Sequence, residues 1–161
     1  MGAERLFMAS LRAIAPAMTT RIAMAALAAS LAACSAPAGP KISARDGWAR
    51  ETGGPMAAAY VTVENQGGAD QLTSVRSSIG TATLHESSMA GGVMRMRPID
   101  PREGLVVPSN GKLVLAPGGA HVMIGGLKHS LRAGDRFKLT LLFAKARPQK
   151  VDITVQPAAG Q

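Results

Sequence analysis

Glycine and proline recur at short intervals from Gly47 to Pro157, and no segment between them carries the 3.6-residue apolar period of an amphipathic helix. The intervals carry alternation instead. Met56–Asn65 reads MAAAYVTVEN, with Tyr60, Thr62 and Glu64 set against Val61 and Val63, which predicts a half-buried strand. Similar reasoning predicts strands at 46–50, 71–77, 81–86, 93–99, 112–115 and 121–124, and a closing hairpin of 135–145 and 150–155. Residues 87–92 read as a hairpin loop, and 98–110 as largely irregular around an extended 104–107. About eight or nine short strands punctuated in this way predict one all-β domain, a sandwich or barrel.

The first third of the chain is of a different kind. Residues 18–35 read MTTRIAMAALAASLAACS: one arginine, an apolar run too short to span a bilayer, then small residues before a cysteine. This is the pattern of an export signal ending in a lipobox, with Cys34 as the lipidated first residue of the mature protein; the alternative is an ordinary secretory signal with an incidental cysteine. Met18 reads as a better start than Met1. The expected division is a signal segment at 1–33, lipidated Cys34 and a linker at 34–45, a β-domain at 46–156 and a tail at 157–161. Removing Arg5, Arg12, Arg21 and Glu4 with the signal takes 18 basic and 10 acidic residues to 15 and 9, a net charge of +6. Apart from Arg95, Arg97 and Arg102 the basic residues do not cluster, and no aromatic platform accompanies them, so nucleic acid is not the expected partner.

The chemistry-bearing residues concentrate between Leu84 and Met123, which holds two of the three histidines and four of the nine methionines. His85 and Met96 are separated by ten intervening residues, and His121 and Met123 stand at i and i+2 in an expected strand, where such positions leave the same face. Imidazole and thioether together are soft ligands, and the first-row ion that suits them is Cu(I). Cys34 is the only cysteine, so the domain has no disulfide and no thiolate for a blue-copper centre. A lone histidine at a strand end is ordinarily a surface group and a lone methionine ordinarily packing; it is the two His/Met combinations, with glycines beside them, that point to a metal. Met94 shares a strand face with Met96 and reads as a cover or an auxiliary ligand. Met89, in the expected loop, reads as an exposed side chain or a help in handover. His129 reads as solvent-facing, and Trp48 and Tyr60 as core and edge packing.

These residues resemble those of a known family. GWAR (residues 47–50), AAYVTVEN (58–65), LHESSMAGGVMRMRPI (84–99), GLVVPSNGKLVLAPGGAHVMIGGLKHSLRAGD (104–135) and LTLLFA (139–144) together resemble the periplasmic copper chaperones of the PCu(A)C family, over about residues 46–155. The resemblance implies a cupredoxin-like Greek-key β-fold and Cu(I) bound by His85, Met96, His121 and Met123. It further implies a periplasmic carrier that delivers copper for cytochrome c oxidase assembly, to subunit II with its binuclear centre or to another assembly factor; the lipobox reading of Cys34 would anchor that carrier to a membrane, and the alternative signal would leave it soluble in the periplasm. The 24 residues between Met96 and His121 exceed the family's usual spacing by about three, and a proline-bounded loop around Asp100 to Arg102 is where such an insertion costs little.

Two other readings compete: an interaction lipoprotein whose His and Met residues are incidental, and a copper-dependent redox enzyme. No nucleophile elbow, catalytic carboxylate pair or phosphate-binding glycine loop stands in usable context, so the chain reads as a binder and not an enzyme.

Overall fold

In a computed structural model, residues 39–158 are described; the signal segment, Cys34 and the last three residues lie outside them. Ten strands and no helix make up the described residues: β1 Ile42–Arg50, β2 Met56–Asn65, β3 Asp70–Ser77, β4 Thr81–Ala90, β5 Val93–Pro98, β6 Leu105–Val107, β7 Lys112–Leu115, β8 Ala120–Gly125, β9 Arg136–Phe143 and β10 Gln149–Gln156. The all-β expectation is met, with the extended stretch around residues 104–107 supplying the tenth strand. One sheet runs in the order β5-β4-β8-β2-β1-β10-β9-β3-β6, with β7 pairing β2 beside β8. Every ladder is antiparallel except β1 with β10. The sheet curls until β3 approaches β4 and β6 approaches β7, so that its inner face closes on one core.

Alternation builds that core. Ala57, Ala59, Val61 and Val63 of β2 point inward, meeting Val122 and Ile124 of β8, Leu139 and Leu141 of β9 and Val151, Ile153 and Val155 of β10. Burying a side chain of this size contributes roughly 1.5–3 kcal/mol. The outward residues of β2, from Met56 through Ala58 and Tyr60 to Glu64, lie on the opposite face.

Two local features depart from simple alternation. In β1 the pairing jumps from Arg45↔Thr62 to Trp48↔Tyr60, so two residues of β1 bulge against one of β2. Asp46 takes the left-handed conformation (φ 55°), and Gly47 sits so close to β10 that a Cβ there would lie 2.6 Å from the Asp152 carbonyl oxygen. Without the bulge Trp48 would fall on the core side; with it, Trp48 turns outward beside Tyr60.

The second feature is the β4–β5 hairpin. The loop expected at 87–92 is only the two residues Gly91 and Gly92, both at positive φ (61° and 78°), the pattern of a type I′ turn matched to strand twist. Ser87, Ser88, Met89 and Ala90 therefore belong to β4, and His85 lies mid-strand instead of at its end. Serine is a turn former by local preference, but here the Gly-Gly pair satisfies the turn alone. β1 likewise begins at Ile42, four residues before the expected strand, because pairing with β2 reaches as far as Asn65.

Candidate metal centre

Register decides which side chains meet. His85 stands opposite His121 and Thr83 opposite Met123 in the β4–β8 ladder; Ser87 stands opposite Met96 in the β4–β5 ladder. Opposed residues share a face, as do residues two apart along a strand. Thr83, His85, Ser87, Met96, His121 and Met123 thus leave the same outer face, while Leu84, Val122 and Ile124 point into the core.

The two imidazoles form the centre of this face. Their ring centroids are 6.0 Å apart and the planes 23° from parallel. His121 Nδ1 lies 3.0 Å from the Gly119 carbonyl oxygen. A carbonyl only accepts, so the ring carries its proton on Nδ1 and leaves Nε2 unprotonated. His121 is 4% exposed. Its Nε2 makes no hydrogen bond among the described residues. His85 Nδ1 is 3.3 Å from Thr83 Oγ1, a looser hold on a half-buried ring. The turn between β7 and β8 sets the Gly119 carbonyl in place: Gly118 adopts φ 81°, Gly119 N–H donates to Ala116, and the same Gly119 carbonyl also accepts the Ser87 N–H at 3.1 Å.

The aromatic residues expected as core and edge packing have another place. Trp48 packs against Tyr60 with centroids 4.4 Å apart and planes tilted by 38°, and Tyr60 stands 6.4 Å from His121. A row of rings therefore crosses β1, β2, β8 and β4 on the outer face, capped by Arg50, whose guanidinium carbon lies 6.0 Å from the Trp48 ring centre. Tyr60 is buried although it points away from the core, because its neighbours in this row cover it. Sequence reasoning misses this wall because the bulge that turns Trp48 outward depends on β10. Exposed His129 lies apart from the face, as expected.

Thioethers flank the imidazole row on both sides. Met123 is two residues along from His121, and Met96 is the diagonal neighbour of His85, at about 7–8 Å between backbones and within reach of a long side chain. Met94 pairs with Met89 one row further out on the same face. Met56, not singled out in the sequence, also lies on this face, opposite Gly125 and diagonal to Met123. Met96 is 50% exposed and Met123 half-buried.

Opposite His85 stands Pro98. The Ile99 N–H donates to the Leu84 carbonyl, which puts Pro98 at a position whose amide would face the free edge of β5, so its missing N–H breaks no ladder bond. The reverse side of the hairpin is ionic. Arg97 meets Glu86 at 2.9 Å and Glu103 at 3.2 Å, and the Glu103 hydrogen bond leads the contacts that push the arginine pKa up. These groups are exposed and stabilise little, but they tie β5 to the following turn. That turn closes on itself, with Glu103 and Gly104 N–H groups donating to the Asp100 carbonyl and Arg102 to the Asp100 carboxylate.

Among the described residues no group of three or more His, Cys, Asp or Glu comes together. The face offers two imidazole nitrogens and several thioethers, a donor set without anionic oxygen or sulfur.

The profile of the family described as "Putative lipoprotein LpqE-like" matches residues 42–155. The chain belongs to the LpqE-like family. The LpqE-like chain is 31% identical over 115 residues to "Putative lipoprotein Lxx21020" of Leifsonia xyli subsp. xyli, covering 70% of its own length and 68% of that protein's. Among solved structures it is similar to the apo PCuAC domain from PmoF1, with 26% identity, a TM-score of 0.59, and 74% and 97% of the two chains covered. The copper-bound PCuAC domain from PmoF2 (24% identity, TM-score 0.59, 75% and 97% covered) and apo-DR1885 from Deinococcus radiodurans (23%, 0.54, 99% and 98%) share the fold. The resemblance to the PCu(A)C family and the cupredoxin-like all-β fold are both borne out.

Proposed function

We propose that this protein is an exported lipoprotein that binds Cu(I) through His85, Met96, His121 and Met123 and passes it to an acceptor protein. The observation that carries the reading is the pair of imidazoles set side by side on one face, His121 with Nδ1 held by the Gly119 carbonyl and Nε2 left without a hydrogen bond among the described residues, between thioethers on either side. Such donors favour Cu(I) over harder ions. The floor of the site is rigid, since His121 is buried and tied to the β7–β8 turn. Met96 belongs to an exposed edge strand and is the donor with most freedom. A site with one mobile ligand can open without unfolding, which suits a carrier. Four soft donors leave no position for an activated water, and the reading is of a binder, not an enzyme. The fold likeness to PCuAC domains, one of them copper-bound, supports it.

Competition titration tests the ion: under reducing conditions the protein takes one tightly held equivalent of Cu(I) from a chelator, and holds Zn(II) at least about a hundredfold more weakly. Tighter binding of zinc overturns the proposal.

Cys34, outside the described residues, is the proposed lipid anchor, following a signal at 1–33 and preceding the folded domain. The family's lipoprotein name and the Leifsonia relative support it. Cys34→Ala is expected to leave the membrane fraction and to lose label from a radioactive fatty acid, with the domain folded as before; several acyl chains hold a membrane firmly where none does not. Labelling of the variant as strong as wild type refutes the anchor. The acceptor proposed from the resemblance is the cytochrome c oxidase assembly machinery in the periplasm, with subunit II or a partner factor receiving the ion.

A further inference from the structure

We infer that Met89, Met94 and Met96 form a second, thioether-only station for Cu(I), through which the ion reaches and leaves the histidine pair; this rests on the Cu(I) function proposed for the face. The β4–β5 hairpin extends past the core: all six residues of β5 are exposed, as are Ser88, Met89 and Ala90 of β4. Of the seven exposed large apolar residues among those described, Met89, Val93, Met94 and Met96 are on this one hairpin. The concentration is not random in direction. Met89, Met94 and Met96 share the face of His85 and His121, while Arg95 and Arg97 take the reverse side with Glu86.

Spacing makes the three sulfurs a set. The hydrogen-bond parity fixed by Ile99 and Leu84 puts Met89/Met94 and Ser87/Met96 at non-hydrogen-bonded positions, where opposed Cα atoms stand about 4.5 Å apart and side chains are closest. Met94 and Met96 follow along β5 at roughly 6.5 Å. The Gly91–Gly92 turn fixes the register of the pair nearest the tip. An unbranched thioether with three rotatable bonds bridges such gaps easily.

Three neutral thioethers suit a soft monovalent ion and reject zinc, calcium and magnesium. Met96 is common to both donor sets. The ion therefore transfers by exchange: each imidazole or Met123 lone pair that leaves is replaced by one from Met94 or Met89, while Met96 stays bound. Copper remains Cu(I) throughout, and no proton or electron moves. The tip station, being the part most exposed, is where an acceptor's own ligands meet the ion.

The test uses protein carrying ¹³C-methyl methionine, titrated anaerobically with Cu(I) and followed by methyl resonances. The first equivalent is expected to shift Met96 and Met123, and the second to shift Met89 and Met94 and to move the shared Met96 again, with Met56 unmoved as the control on the same face. The Met89→Leu/Met94→Leu variant, changed only at exposed positions, is expected to keep the first Kd within about twofold, lose the second equivalent and release Cu(I) to a soluble chelator about tenfold more slowly. Met89 and Met94 resonances that stay fixed through the second equivalent, or a variant releasing at the wild-type rate, overturn the station while leaving the primary site standing. A first equivalent that moves neither Met96 nor Met123 overturns the primary site, and the station with it.

Discussion

Met123→Leu is expected to weaken Cu(I) binding by about a hundredfold or more, since even outer-shell partners of a metal site are worth roughly 10–100-fold. Met123 is one of the two donors on β8 and follows His121 on the same face. Leucine keeps the volume and apolar character, so the apo protein should lose less than about 1.5 kcal/mol of stability. Met96→Leu is expected to act in the same direction, and the double variant to fall further, because the two thioethers lie on opposite sides of the imidazole row. Met94→Leu, one row beyond Met96, is expected to stay within about twofold, an effect small beside loss of a direct ligand. Chelator competition across the series, with thermal unfolding of each apo form, separates lost ligation from lost folding. No loss at Met123 refutes the His-x-Met assignment; equal losses at Met94 and Met96 mean that the ligand has been placed one row too near the histidines.

Gly47→Ala is expected to be the most damaging single methyl in the domain's first strand. The added Cβ would lie 2.6 Å from the Asp152 carbonyl oxygen, 2.6 Å from Ile153 Cδ1 and 3.0 Å from Val151 Cγ2. A flexible side-chain end can give way, but the carbonyl belongs to the β10 backbone, and β1 must lift from it. The expected cost is about 3 kcal/mol, at the upper end for overpacking, with a fall in Tm on the order of 10 °C. Because Trp48 follows directly and is the only tryptophan, its fluorescence should report the same displacement. Asp46→Gly makes the contrast. Asp46 already holds φ 55°, which glycine adopts freely, so this change should stay within about 1 kcal/mol. An unchanged Tm for Gly47→Ala refutes the close approach of β1 and β10.

Much of the fold is legible in the chain because it is local. The bounds of β2 and β7 follow from alternation between turn residues, and the shared face of His121 and Met123 follows from a period of two. The hairpin loop looks longer in the sequence than it is because Ser87 and Ser88 carry turn preference, whereas the cross-strand partners Met96 and Arg95 hold them in β4. What no local pattern carries is the order of strands. That His85 should face His121, and that Tyr60 should close the row beside it, depends on β8 lying between β4 and β2. The bulge at Asp46 and Gly47 is a one-residue slip, and such a slip moves a side chain to the other face without altering the alternation on either side of it. The parallel pairing of β1 with β10 joins the two ends of the domain across almost its whole length.

Pro98 bears on a different problem, that of keeping many copies of the protein apart. An edge strand with exposed apolar side chains invites a second molecule to add its own edge, the first step toward aggregation. On the free side of β5 the outward amides belong to Met94, Met96 and position 98, and proline removes the last of these donors. Only two outward donors remain, too few to hold a lasting ladder with a neighbour, and Arg95 and Arg97 bring like charges together in any symmetric approach. A surface that must show its sulfurs to copper is in this way kept from pairing with itself.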